Sequence, residues 1–174
     1  MVIHERESRE EAALAVVRHM LAAARTAPKA MGRDIIECAA VMGPDKDALA
    51  NKLRELGEAT GKGFFIRDAG CIDKSQAVVL VGTASTPCGL NCTRCGFANC
   101  AAKPAESPCA LNTVDVGIAL GSAVSVAEDL RADTRIIFSG GVAAQELGIL
   151  GEGVTQVYAI PVSISSKSPF FDRK

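Results

Sequence analysis

Residues 113–130 read TVDVGIALGSAVSVAEDL, a proline-free run whose apolar positions recur at helical spacing. Asn112 stands where an N-cap is expected, and Asp115 falls near the positive end of the helix dipole, so the pattern predicts a helix from about Thr113 to Leu130. Gly117, Ala119, Gly121, Ser122, Ala123 and Ser125 give that helix a surface of small side chains. A glycine inside a helix costs about 1 kcal/mol relative to alanine, so a close approach should offset it. A second helix packed against this one satisfies that condition, and so does a flat cofactor.

Outward from this helix the chain alternates helix and strand patterns. Ser8-Arg9-Glu10-Glu11 fits a capping box, and Leu14, Val17, Leu21 and Ala24 follow at helical spacing, which predicts a first helix over Arg9–Ala24. Asp34–Val41 reads as a buried strand closed by Gly43-Pro44, with Cys38 inside it as a small core residue. A second helix starts near Asp45, carries Leu49, Leu53, Leu56 and Ala59 on one face, and ends at Gly61 and Gly63. Phe64-Phe65-Ile66 and Ala77–Val81 predict two more strands, with Cys71 in a turn between them. On the C-terminal side, Gly140-Gly141 precedes a short helix, and Val154–Ile160 makes a last strand stopped by Pro161. No clean βαβ repeat, internal repeat or phosphate-loop glycine pattern occurs, so the expectation is one α+β domain over residues 1–174.

Composition narrows the function classes. A hydrophobic content of 48% over 174 residues is enough to bury a core, while a net charge of −1 provides no field to hold a polyanion or an acidic membrane. With no Trp and one Tyr there is little aromatic surface for stacking bases, so nucleic acid is not an expected partner. MVIHERESREEA at the start lacks the apolar core of a signal peptide, and no uninterrupted apolar stretch suits a membrane span, which predicts a cytoplasmic protein. Seven cysteines in a reducing compartment read as metal ligands or thiols, not as disulfides.

Five of those cysteines lie in CGLNCTRCGFANCAAKPAESPC, residues 88–109, inside a cysteine-rich segment spanning 84–112. Cys92, Cys95, Cys100 and Cys109 supply four thiolates, and Gly96 permits a tight turn that directs amides at sulfur. Zinc is the competing metal, although it more often takes two paired knuckles and here only one Cys-x2-Cys pair exists. Cys88 competes with Cys109 as fourth ligand; Cys109 is preferred because it lies just ahead of the small-residue helix, whose N-terminus favours an anion. His4 and His19 are poor acid–base candidates, and no catalytic constellation stands out.

Asn91–Cys100, NCTRCGFANC, resembles the motif of a small four-iron domain found in the B subunit of Rnf electron-transport complexes and in corrinoid iron–sulfur proteins. That resemblance implies a [4Fe–4S] cluster on Cys92, Cys95 and Cys100, with a fourth cysteine downstream. AARTAPKAMGRD, FIRDAG, VDVGIALGSAV and IPVSISSKSPFFDR extend the likeness to a prokaryotic family described as ferredoxin-domain-containing proteins, in which the motif implies electron transfer with a redox partner protein.

The order of elements is also similar to that of nitroreductases, flavoproteins whose dimeric α+β fold binds FMN at the subunit interface. This second resemblance implies a mixed or antiparallel sheet flanked by helices, a homodimer, a small-molecule substrate and an FMN whose phosphate meets Arg25, Lys29, Lys167 and Arg173. The hydroxyl-rich tail SISSKSPFFDRK suits a phosphate, and a solvated C-terminus accounts for it equally.

Overall fold

The computed structural model describes residues 1–171. Four strands, β1 (Ile36–Met42), β2 (Ala77–Ala84), β3 (Asp133–Thr134) and β4 (Val154–Ser163), form one antiparallel sheet in the order β1-β2-β4-β3. Helices α1 (Glu5–Thr26) and α4 (Ala110–Asp129) cover one face, and α2 (Gly43–Thr60), α3 (Gly63–Asp73) and α5 (Phe138–Glu146) cover the other. The α+β class and an antiparallel sheet flanked by helices follow the sequence reading.

β2 shows why the layers form. Its residues are buried on both faces: Ala77, Val79 and Val81 face α1 and α4, while Val78 and Leu80 face α2, α3 and α5. An alternating strand splits its side chains between two cores in this way, and each fully buried Val or Leu contributes about 1.5–3 kcal/mol.

Four elements differ from the sequence expectation. Phe64-Phe65-Ile66 is the start of α3, not a strand, because Phe65, Ala69 and Ile72 share a helical face that packs on α2. Gly57 admits this contact, since a Cβ there would lie 2.6 Å from Ile66 Cδ1. Cys71 is accordingly on α3 and buried. The first helix begins at Glu5, where Arg9 pairs with Glu5 at 2.7 Å; Ser8 turns its hydroxyl back to the carbonyls of His4 and Glu5 in place of a capping box.

The last strand runs through Pro161 to Ser163. Ala159 exchanges both its hydrogen bonds with Ile137, so the missing N–H of Pro161 falls on the same side, between that bridge and the short pairing with β3.

Gly140 and Gly141 lie inside α5, not ahead of it. A Cβ on Gly141 would sit 1.6 Å from the Val157 carbonyl oxygen, so α5 rests directly on the backbone of β4. Gly141→Ala is expected to destabilise the protein by at least about 2 kcal/mol through overpacking, read as a fall in denaturant midpoint at unchanged slope; an unchanged midpoint would contradict this packing.

Candidate functional site

The cysteine-rich segment leaves the end of β2, crosses the surface without regular structure beyond a short turn at Cys100–Ala102, and returns at the head of α4. Helix α4 starts at Ala110 with Cys109 as its N-cap residue; Asn112, the expected cap, is inside the first turn and buried. Lys103 fastens the return, donating to the carbonyls of Pro104 (2.9 Å) and Ser107 (2.5 Å).

The five cysteines have different surroundings. Cys88 and Cys109 are buried; Cys92, Cys95 and Cys100 are half-exposed. Burial works against ionisation of Cys109, yet the backbone N–H dipoles of Cys88, Asn112 and Leu111, with the charge of Lys103, bring its thiol below the ordinary range. Burial pushes the Cys88 thiol up, and a nearby Cys109 thiolate adds to the effect. Asn91 clasps Cys100 from both sides, its N–H 3.3 Å from the sulfur and its Oδ1 accepting from the Cys100 N–H at 2.9 Å. Gly96 makes the predicted tight turn, at φ 86°.

Cys88 and Cys109 are neighbours, the Cys88 N–H reaching the Cys109 sulfur, but the sulfurs do not form a ready ligand set. Among the described residues no group of three or more His, Cys, Asp or Glu side chains is placed to hold a metal ion, so the expected set Cys92, Cys95, Cys100 and Cys109 is not assembled. The physical reason is local: Cys109 is held at the helix head, Cys100 is held by Asn91, and Cys92 and Cys95 lie on the outer turn. The residues as arranged do not fit a four-iron cluster.

The cationic positions divide into two groups. Arg25 donates to Asp34 (2.7 Å) and to the Ile36 carbonyl (2.6 Å), and Lys29 donates to the carbonyls of Arg25 (2.5 Å) and Ala27 (2.9 Å) while lying 3.9 Å from Asp34. Arg25 and Lys29 thus sit together at the end of β1 where Ile36 pairs with Thr83. Lys167 follows the other end of the sheet, where Met42 and Val162 flank Ala77. The length of β1, roughly 20 Å at about 3.3 Å per residue, separates the two ends. Arg173 lies outside the described residues.

Two site features had no clear signal in the sequence. Asp115 is buried, and both its oxygens lie 3.1 Å from the Ala30 N–H, tying the loop after α1 to α4. The second is a cleft of about 180 Å³ at the head of α4, lined in part by Ala84, Pro108, Cys109, Asn112 and Gln156.

Helix α4 itself presents two faces. Ala119, Ala123 and Ala127 pack in the core with α1, and Ser122 donates to the Ala23 carbonyl at 3.0 Å, so the close approach expected of this helix is made by its alanines and Ser122. Gly117 and Gly121 look outward, and a Cβ on either would meet nothing; Val114 (54% exposed) and Ile118 (39% exposed) share that face. By length and composition α4 could cross a membrane, but its inner face is the core of this fold.

An antiparallel sheet between two helical layers, with a long apolar helix across one face, is an α+β fold similar to that of nitroreductases. The chain superimposes with a TM-score of 0.62 on a nitroreductase with bound FMN from Desulfitobacterium hafniense, at 17% identity over 88% of this chain and 78% of the other. With nitroreductase CinD from Lactococcus lactis, solved in complex with chloramphenicol, the TM-score is 0.66 at 12% identity, over 95% and 81% of the two chains. In sequence it is 40% identical to an uncharacterized protein of Archaeoglobus fulgidus over 99% of this chain and 98% of that one, and it belongs to the same family. Residues 105–173 also match the family described as "uncharacterized protein containing a ferredoxin domain" (DUF2148), a stretch that includes Cys109 and excludes the other four cysteines of the segment.

The opposite shifts of Cys109 and Cys88 order their reactivity. As pH rises the Cys109 thiolate forms first, so its alkylation by iodoacetamide should reach half-maximal rate at a lower pH than that of Cys88, measured by peptide mass spectrometry of the folded protein. The reverse order would rule out the helix-head environment described for Cys109.

Proposed function

We propose that this protein is an FMN-dependent, nitroreductase-like oxidoreductase, a cytoplasmic homodimer that exchanges electrons with a small-molecule substrate or a redox partner protein. The observation that carries the reading is the fold, which matches an FMN-bearing nitroreductase over most of both chains. Arg25, beside Asp34, fits one end of a phosphate site, with Lys29 adding its charge from a side chain that is 7% exposed. When bound, the flavin supplies hydride and one-electron chemistry, and the protein places the ring.

The residues of the chain do the binding. Arg25 is held in position by Asp34 and the Ile36 carbonyl and is still 43% exposed on its side chain, so an anion can approach it. Asp34 and Glu37 offset the two cations, so a phosphate would compete with Asp34 for Arg25. Lys167, beyond the far end of the sheet, and Arg173 would join the same phosphate from the tail of a second copy. This separation supports a homodimer, as does the uncharged outer face of α4 formed by Val114, Gly117, Ile118 and Gly121.

The test is reconstitution. Purified protein is expected to release yellow flavin on denaturation or to quench FMN fluorescence on titration, and to scatter light as twice its 18.1 kDa chain mass. Arg25→Gln and Lys29→Gln should each weaken FMN binding at least about tenfold, the loss of roughly 1.4 kcal/mol from a charge-assisted contact. A monomer that neither contains nor takes up FMN would refute the proposal.

A second reading, electron transfer through a [4Fe–4S] cluster, is favoured by one observation: the Asn91 N–H points at the Cys100 sulfur within the Cys92-x2-Cys95-x4-Cys100 spacing. It requires the segment to rearrange so that Cys92, Cys95, Cys100 and Cys109 meet. Oxygen-protected protein would then carry about four irons per chain with broad absorption near 400 nm. Colourless protein with one stoichiometric zinc would instead indicate a zinc-stabilised interaction domain, and iron- and zinc-free protein would leave the flavin reading alone.

A further inference from the structure

We propose that Cys88 and Cys109 are a dithiol that hydrogen peroxide converts to a disulfide, with Cys109 oxidised first and Cys88 closing the bond. One cysteine follows the end of β2 and the other is the N-cap residue of α4, yet the Cys88 N–H reaches the Cys109 sulfur. An N–H that reaches a sulfur puts its own Cα roughly 5 Å away, and disulfides join Cα atoms about 4.4–6.8 Å apart, so rotation about χ1 can bring these two sulfurs together.

Neighbouring groups hold the pair in this relation. Asn112 Nδ2 donates to the carbonyls of Ala84 (3.2 Å) and Thr86 (2.8 Å), which fastens the chain leaving β2 to the first turn of α4. Arg33, ahead of β1, donates to the Cys88 carbonyl at 2.8 Å. Lys103 fixes the return that leads to Cys109 through the carbonyls of Pro104 and Ser107. The remaining thiols are placed otherwise. Cys100 is clasped by Asn91, Cys92 and Cys95 are on the half-exposed turn, Cys38 is on β1, and Cys71 is on α3.

The two sulfurs differ in access. Cys109 is 6% exposed and lines the cleft of about 180 Å³ at the head of α4, whereas Cys88, 4% exposed, is not part of its wall. That volume is below the ~300 Å³ at which pockets for drug-sized ligands begin, so the cleft favours an oxidant of two heavy atoms over a bulky disulfide. The Cys109 sulfur attacks one peroxide oxygen, the O–O bond breaks, and the departing hydroxide leaves as water with the Cys109 thiol proton, giving a sulfenic acid. The Cys88 sulfur then attacks the Cys109 sulfur, the S–O bond breaks, and the hydroxyl leaves with the Cys88 proton as a second water. Two electrons pass from the dithiol to one peroxide. The product closes residues 88–109 into a covalent loop and removes Cys109 from any metal, so this chemistry belongs to metal-free protein and does not depend on bound flavin.

The test uses the full-length protein, freed of metal by chelation and checked for iron and zinc by elemental analysis. After hydrogen peroxide it is denatured, alkylated with iodoacetamide and mapped by peptide fragmentation. Alkylation of Cys88 and of Cys109 is expected to fall together by at least about tenfold, with a Cys88–Cys109 linked peptide that dithiothreitol abolishes. Cys88→Ser should stop at a sulfenic acid on Cys109, trapped by dimedone, while Cys109→Ser should leave Cys88 a thiol. If either variant fails to fold, the map of the unaltered protein decides by itself. A Cys92–Cys95 or Cys100–Cys109 bond in its place, or full alkylation of Cys88 and Cys109 after peroxide, would overturn the proposal. The iron content before chelation bears on the cluster reading alone, so the two outcomes are separate.

Discussion

β2 is buried on both faces, and the rest of the molecule is arranged around that constraint. Its side chains serve two cores at once, so α1 with α4 and α2 with α3 and α5 must each find a matching apolar face. Its neighbour β4 carries the strand to both functional regions, through the bulge at Gln156 near the head of α4 and past Pro161 to the tail that holds Lys167. The bulge exists because the alternation of two packed faces must be kept while one residue is absorbed. Glycine at position 82 and at position 141 lets side chains and a helix reach that irregular stretch.

α4 joins the core to both proposed interfaces. Its alanine face and Ser122 hold α1, Asp115 holds the loop that follows α1, and through that loop the Arg25–Lys29 pair is kept near the start of β1. Its head places Asn112 and Cys109 beside one cleft. Among the described residues its glycine face has no partner, although each interior glycine costs about 1 kcal/mol, and the proposed second copy would give a physical reason for keeping both.

The cysteine segment is where local sequence and tertiary placement part. Its spacing resembles that of a cluster loop, while its sulfurs are distributed between a buried helix head, an asparagine clasp and a half-exposed turn. The two proposed redox readings rest on different grounds: on the nitroreductase-like fold for flavin, and on the ligand spacing for iron. The two readings place different demands on the same loop, since only the cluster requires it to close.

Much of the fold was legible because it depends on periodicity. The strands near Ile36–Met42 and Ala77–Ala84, the second helix and its left-handed end at Gly61, and the small-residue helix all follow from apolar spacing and stop residues. The run at Phe64–Ile66 misled because three apolar residues have no period of their own, and only packing on α2 makes them helical. Which residues share a site was not legible, since that is set by register: antiparallel pairing puts Arg25 and Lys29 at one end of the sheet and Lys167 at the other. The sequence by itself determined the layers, the small-residue helix and the supply of thiols. The tertiary structure decided that the alanines of that helix face inward and its glycines outward, and that Asn112 is buried with its Nδ2 donating to the carbonyls of Ala84 and Thr86 and is not a cap, because each of these depends on neighbours distant in the chain.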